Sequence, residues 1–224
     1  MKRFIEGLEA PHGLWVVPKA VAESMINDEG VLDPVERHAT VLFTDVAGFT
    51  RLTETKGPRA IVDTFNAFFD AASEIIGKHN GVVTQFQGDA ILATFNVPIE
   101  DDNHAQHALD TAIDLLNIVN SKTFADERLT IRIGLSSGPL IAGNVGGGGR
   151  QSYTVYGEPV NLAARLESLN KEYGTSLLVS ETTAKLVNQE ALQKIGKTEV
   201  RGLSEPINIY TLAPNIGLLS ETAP

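Results

Sequence analysis

Apolar residues recur along this chain at two spacings. Between Arg59 and His79, Ile61, Val62, Phe65, Phe68, Phe69, Ala72, Ile75 and Ile76 repeat at three and four, the period of one helix face. Asn80-Gly81 ends that helix. A second helical face, Ala108, Leu109, Ala112, Ile113, Leu116 and Val119, follows Asp102, which suits an N-cap. Short apolar, β-branched runs read as strands: Ala39 to Val46, Val82 to Phe86, Ala90 to Phe95 and Leu129 to Leu135. Gln87-Gly88-Asp89 is the hairpin joining the second and third. The order strand, helix, strand, strand, helix, strand predicts an α+β fold, a ferredoxin-like split βαβ sheet with helices on one face. A C-terminal αβ extension follows. It comprises a strand from Leu140 to Val145, a strand through Tyr153 to Tyr156, and a helix from Pro159 to about Leu169. Shorter strands come around Leu177-Leu178-Val179, Thr198-Glu199-Val200 and Ile207 to Leu212. Pro159 fits a first helical turn. Residues 1–36 read as a lead-in segment with a short helix at Pro18 to Ile26, residues 37–213 as one domain, and 214–224 as a tail.

The topology brings chemistry together. In a split βαβ unit the first strand lies beside the third, so its C-terminal end meets the hairpin between strands two and three. Asp45 and Asp89, far apart in the chain, are thereby predicted to be neighbours. Two adjacent carboxylates repel unless a cation lies between them. Magnesium takes hard oxygen ligands and needs only one or two carboxylates besides phosphate. A pair of such ions about 3.5–4 Å apart clamps both oxygens of an in-line displacement. Each aspartate alone reads as a turn cap or a hairpin residue; the pair points to metal.

The composition narrows the field. The chain has 224 residues, 42% hydrophobic and 21% charged, the profile of a globular domain. It has no cysteine, which excludes disulfides and thiol catalysis. The net charge of −10 and the lack of a Lys/Arg cluster argue against a nucleic-acid partner. No apolar run is long enough to cross a bilayer. The expected location is cytoplasmic. Metal ions let an acidic protein accept a triphosphate.

Further candidates stand on loops and helices. Gly48, in Ala47-Gly48-Phe49-Thr50, permits close backbone approach to a phosphate, or simply turns a strand into a helix. Gly146 to Gly149 lacks the Lys-Ser/Thr ending of a P-loop and reads as a flexible turn. Asn161 and Arg165 are four apart, on one face of an otherwise apolar helix. An arginine there can stabilise a phosphoryl group in flight and an amide can orient a sugar; an exposed face pointing into water is the plainer reading. His104 and His107 are read as part of a solvated surface with Asp101 and Asp102, and Tyr153 and Tyr156 as packing residues.

Taken together, Phe-Thr-Asp-Val-Ala-Gly-Phe-Thr at 43–50, Gln-Gly-Asp-Ala at 87–90 and Tyr-Thr-Val-Tyr-Gly-Glu-Pro-Val-Asn-Leu-Ala-Ala-Arg-Leu-Glu at 153–167 resemble the catalytic domain of the class III nucleotidyl cyclases, from about Arg37 to Leu212. The resemblance implies closure of a nucleoside triphosphate to a 3′,5′-cyclic monophosphate, with two divalent ions, Mg2+ or Mn2+, per site. It implies that Asp45, Asp89 and the Val46 carbonyl bind metal and that Phe49 and Thr50 touch the triphosphate. It implies further that Asn161 and Arg165 stabilise the transition state, lent across a head-to-tail homodimer. Gln85 stands where adenylate cyclases of the family commonly carry a base-selecting Lys, and Thr154 where they carry an Asp or Thr. The Glu and Cys of guanylate cyclases are absent, so ATP is the implied substrate, with cyclic GMP, UMP or CMP formation as the alternative. Val200-Arg201-Gly202-Leu203 keeps one basic residue of a two-lysine segment, which makes Arg201 a candidate contact for the γ-phosphate. A catalytically silent nucleotide-binding module is the competing class of function, but no metal or transition-state position is missing. A diguanylate cyclase would carry a Gly-Gly-Asp/Glu-Glu-Phe signature, which is absent.

Overall fold

The computed structural model describes residues 14–16, 34–48, 57–147, 150–201 and 204–214. The helix expected at Pro18 to Ile26 and most of the tail lie outside them. The described strands are β1 (Leu14–Val16), β2 (Val35–Val46), β3 (Val82–Gln87), β4 (Ala90–Phe95), β5 (Ile131–Gly147), β6 (Arg150–Tyr156), β7 (Leu177–Ser180), β8 (Leu192–Thr198) and β9 (Ile207–Leu212). The helices are α1 (Pro58–Lys78), α2 (His104–Ser121), α3 (Glu158–Tyr173) and the single turn α4 (Glu181–Ala184).

The sheet runs β3-β4-β2-β5-β7-β9-β8, with β6 paired to β5 and β1 to β6. The first strand of the split βαβ unit, β2, therefore lies between β4 and β5, as the order of elements predicts. Alternation along β2 sends its side chains to two cores. Leu42 and Val46 meet Phe65, Phe68, Ala72 and Ile76 of α1 and Ala108, Leu109, Ala112 and Leu115 of α2. Ala39 and Val41 meet Leu140, Tyr153, Val155 and Ala163, beneath α3. The α1–α2 pair thus covers one face and α3 the other.

The details depart from the pattern in three places. The two strands expected at Leu129 to Leu135 and Leu140 to Val145 are one strand, β5, paired with β2 without a break from Val46↔Ile131 to Val35↔Ala142. The Ser136-Ser137-Gly138-Pro139 stretch between them is polar because it is used: Ser137 Oγ bonds Thr40 Oγ1 at 2.6 Å and Thr183 Oγ1 at 2.9 Å. Of the strand expected around Thr198 to Val200, only Thr198 is in a strand, as the last residue of β8. Asp102 does not cap α2; Asn103 holds the N-cap position without a side-chain bond.

His104 is not a surface residue either. It and Asp101 are both 8% exposed. Thr40 Oγ1 lies 2.6 Å from His104 Nδ1, and Asp101 Oδ2 lies 2.7 Å from His107 Nδ1. Burial, then His38, hold the His104 imidazole below its usual value. His104 fastens the start of α2 to β2, and His107 ties that helix to the segment just before it. Tyr153 is core, as expected, whereas Tyr156 is 56% exposed. Among the described residues no helix is long and apolar enough to cross a membrane.

Candidate active site

Three groups of side chains assemble around the α3 face of the sheet. The first is the carboxylate pair. Asp45 stands opposite Ala90 on β4 and opposite Arg132 on β5. Asp89 immediately precedes Ala90 in the tight β3–β4 turn, where Gly88 has φ +65, the left-handed region that glycine enters without strain. The carboxyl of Asp45 shares a hydrogen bond with Asp89 and is pushed up to about 7, by burial first, then by Asp89 and by the charge of Glu167. The Val46 backbone N–H opposes the shift. Two carboxyls can share a hydrogen bond only while one keeps its proton. At neutral pH the pair is therefore short of positive charge.

A divalent ion fits that shortage. Asp45, Asp89 and the adjoining Val46 carbonyl are all hard oxygen donors, and two carboxylates are what magnesium needs when substrate phosphates complete the shell. No group of three or more His, Asp or Glu with metal-binding geometry occurs among the described residues.

Two further charges sit against the pair, and the sequence pattern missed both. Arg132 is beside Asp45 in register, three-quarters buried, and its Nη1 lies 3.9 Å from Glu167 Oε1. Glu167 is 5% exposed. Ser168 Oγ donates to its Oε2 at 3.1 Å, while Oε1 has no hydrogen-bond partner. Burial raises the Glu167 carboxyl above its usual value, with Asp89 adding to the shift. Glu167 is this close because α3 rests on Gly134, with no Cβ between them. A Cβ there would drive into the Ala163 carbonyl oxygen and lie 2.6 Å from the Glu167 nitrogen.

The second group is Asn161, Arg165 and Arg201. All three line a cavity of about 450 Å³, together with Ser168, Glu172 and Glu199. Arg165 and Glu167 are two residues apart on a helix, so they leave it in nearly opposite directions. Glu167 turns in toward Asp45 and Asp89, and Arg165 turns out into the cavity. Within one chain the carboxylate pair and the Asn161–Arg165 pair do not meet.

The third group is polar and uncharged. Gln85 Nε2 donates to Thr154 Oγ1 at 3.1 Å, and Gln87 Nε2 donates to Gln85 Oε1 at 2.6 Å. The structure therefore joins Gln85 and Thr154, and adds Gln87, which the sequence presents only as a hairpin residue. Phe49 and Thr50 lie outside the described residues, as do Gly148 and Gly149 of the glycine run.

Known proteins resemble this chain in sequence and in fold. The sequence model of the adenylate and guanylate cyclase catalytic domain matches residues 33–214. Adenylate cyclase 1 of Rhizobium meliloti is 33% identical over 192 residues, covering 83% of this chain and 29% of that protein. An uncharacterised Mycobacterium tuberculosis protein is 33% identical over 211 residues, 92% of this chain and 36% of its own length. The chain thus spans about a third of the length of these relatives. Among solved structures, a bacterial light-regulated adenylyl cyclase superposes with a TM-score of 0.77 at 27% identity, covering 94% of this chain and 60% of that one. The guanylate cyclase domain of RhGC from Catenaria anguillulae, in complex with GTP, superposes with a TM-score of 0.73 at 26% identity, covering 80% and 98%. With that family match over most of its length, the chain belongs to the adenylate and guanylate cyclase catalytic domain family.

Proposed function

We propose that this chain closes a nucleoside triphosphate, ATP foremost, to the 3′,5′-cyclic monophosphate and pyrophosphate, at sites shared between two copies. The observation that carries the reading is the division of the site. Asp45 and Asp89 meet on one side of α3, and Asn161 and Arg165 open on the other, so a complete site calls for a second chain. Bound to Asp45, Asp89 and the Val46 carbonyl, two divalent ions, Mg2+ or Mn2+, would supply the charge that activates the ribose 3′-hydroxyl and the pyrophosphate leaving group.

This chain's own residues do the rest. Asp45 and Asp89 fix the oxygen frame that holds substrate and cations. Arg132, beside Asp45, offers a guanidinium to the phosphate oxygens, and Phe49 and Thr50 follow the first aspartate closely in the sequence. From the partner, Arg165 meets the charge that builds on the α-phosphorus, and Asn161 orients the ribose. Removing a single preorganised donor of that kind typically costs about 10²–10³ in rate. Arg201, in the same cavity, reaches toward the γ-phosphate. Gln85 and Thr154 face the base. Thr154 supports adenine, since its oxygen can accept from the exocyclic amine, and the Rhizobium relative is named for that activity.

The test is a product assay. The purified chain, given an equimolar mixture of ATP, GTP, CTP and UTP with Mg2+ or Mn2+, is expected to release cyclic AMP as its main cyclic product, and none with EDTA. Failure to make any cyclic nucleotide under either metal would refute the proposal.

A further inference from the structure

Gln87, Gln85 and Thr154 form a row with a direction. Gln85 and Gln87 are two apart on β3 and share one side of the strand. Thr154 reaches Gln85 from β6 and is 8% exposed, whereas Gln87 is exposed. Along the row Gln87 donates to Gln85, and Gln85 donates to Thr154. Thr154 thereby accepts inside the row and keeps its own proton, with one lone pair, for the base. A threonine hydroxyl with a free proton suits a carbonyl on the ring.

Reversing every donor gives a row that is just as well satisfied, because each member carries both a donor and an acceptor. Thr154 then donates to Gln85, Gln85 donates to Gln87, and only lone pairs remain on Thr154 for the base. A hydroxyl that can only accept suits an exocyclic amine. The direction of these two hydrogen bonds thus decides whether Thr154 has a proton to offer a keto base or can only accept from an amino one, and Gln87 holds the exposed end of the row.

We infer that Gln87 is a specificity-determining residue, whose amide sets the direction of the Gln87–Gln85–Thr154 row and so the balance between amino (adenine) and keto (guanine) nucleotides. The inference rests on the cyclase reading of this site. It makes Gln87 a positioning residue that acts through its neighbours. A native glutamine allows both directions, so the unsubstituted chain turns over GTP as well as ATP at measurable rates.

The test is the ratio of kcat/KM for ATP to that for GTP in the unsubstituted chain, Q87E and Q87K. In Q87E the new carboxylate can only accept, which fixes the reversed row and shifts the ratio toward ATP by about tenfold, the order of discrimination one hydrogen bond supplies. In Q87K the ammonium can only donate, which fixes the other direction and shifts the ratio toward GTP by a similar factor. A plain effect of charge on the triphosphate is common to both nucleotides and cancels in the ratio. Position 87 is exposed at the end of a strand, so both variants fold, as circular dichroism will confirm. A ratio that stays put, or that moves the same way in both variants, overturns the inference while leaving the cyclase reading intact. An unsubstituted chain that cyclises no nucleotide overturns both.

Discussion

Burial, Asp89 and Glu167 together raise Asp45 to about 7 from an ordinary 3.8. The folded value exceeds the unfolded one, so the sign follows directly. Below about pH 4 the carboxyl is protonated in both states and costs the fold nothing. As pH rises from about 4 to about 7 the unfolded chain ionises while the folded chain resists, and stability falls. Above about 7 the penalty is complete. Asp45→Asn is therefore expected to raise the melting temperature of the metal-free protein at pH 8 and to leave it unchanged at pH 4. Asp45 is only half-buried, so solvent screens the repulsion, and the gain should be about 1 kcal/mol, or roughly 2–4 °C. Adding Mn2+ should reverse the order at pH 8, because only the native pair gains from the cation. Scanning calorimetry in chelator and in Mn2+ measures both arms. Arg132 makes a second prediction at this scale. Arg132→Ala removes the donor proposed for the phosphates and leaves Glu167 buried without its counter-charge. It should lower kcat/KM by about 10- to 100-fold, chiefly through KM, read from steady-state kinetics.

At the scale of elements, the site depends on how closely α3 lies on β5. Gly134 provides that closeness, since any Cβ would collide with the Ala163 carbonyl and the Glu167 nitrogen. Both are backbone atoms and cannot rotate away. Gly134→Ala should lift α3, cost about 1–3 kcal/mol in urea denaturation, and depress turnover more than binding because Asn161 and Arg165 ride on the same helix. The helices themselves were legible in the sequence. Phe65, Phe68, Ala72 and Ile76 announced α1 by spacing alone, and the element order placed Asp45 beside Asp89 before any coordinates. What was not legible depended on contacts across elements. The Ser136-Ser137-Gly138-Pro139 stretch reads as a break, yet it stays in β5 because Ser137 is bonded to Thr40 and Thr183 on neighbouring elements. Glu167 carries no signal of its own in the sequence, and only Gly134 beneath it reveals that it is buried. Arg132 sits in an ordinary strand sequence, and its meaning comes from the register that sets it against Asp45. Gln87 passes for turn filler until its amide is found on Gln85.

For the molecule as a whole, one chain holds two half-sites that face apart. In the proposed reaction Asp45 and Asp89 need a guanidinium and an amide that their own α3 turns away from them, so activity should belong to the pair and not to the single chain. Dilution below the dimer dissociation constant should make specific activity fall with concentration, with no change in circular dichroism. The sharpest test uses two inactive proteins. Asp45→Ala destroys the carboxylate half and leaves Asn161 and Arg165 intact; Asn161→Ala does the reverse. Mixed in equal amounts and allowed to exchange, half the dimers carry both chains, and each of those has one intact site out of two. Cyclic nucleotide formation is expected to return to roughly a quarter of the native rate, the share that symmetric pairing dictates. A mixture as inactive as its components, with chain exchange verified by mass spectrometry, would contradict the shared site.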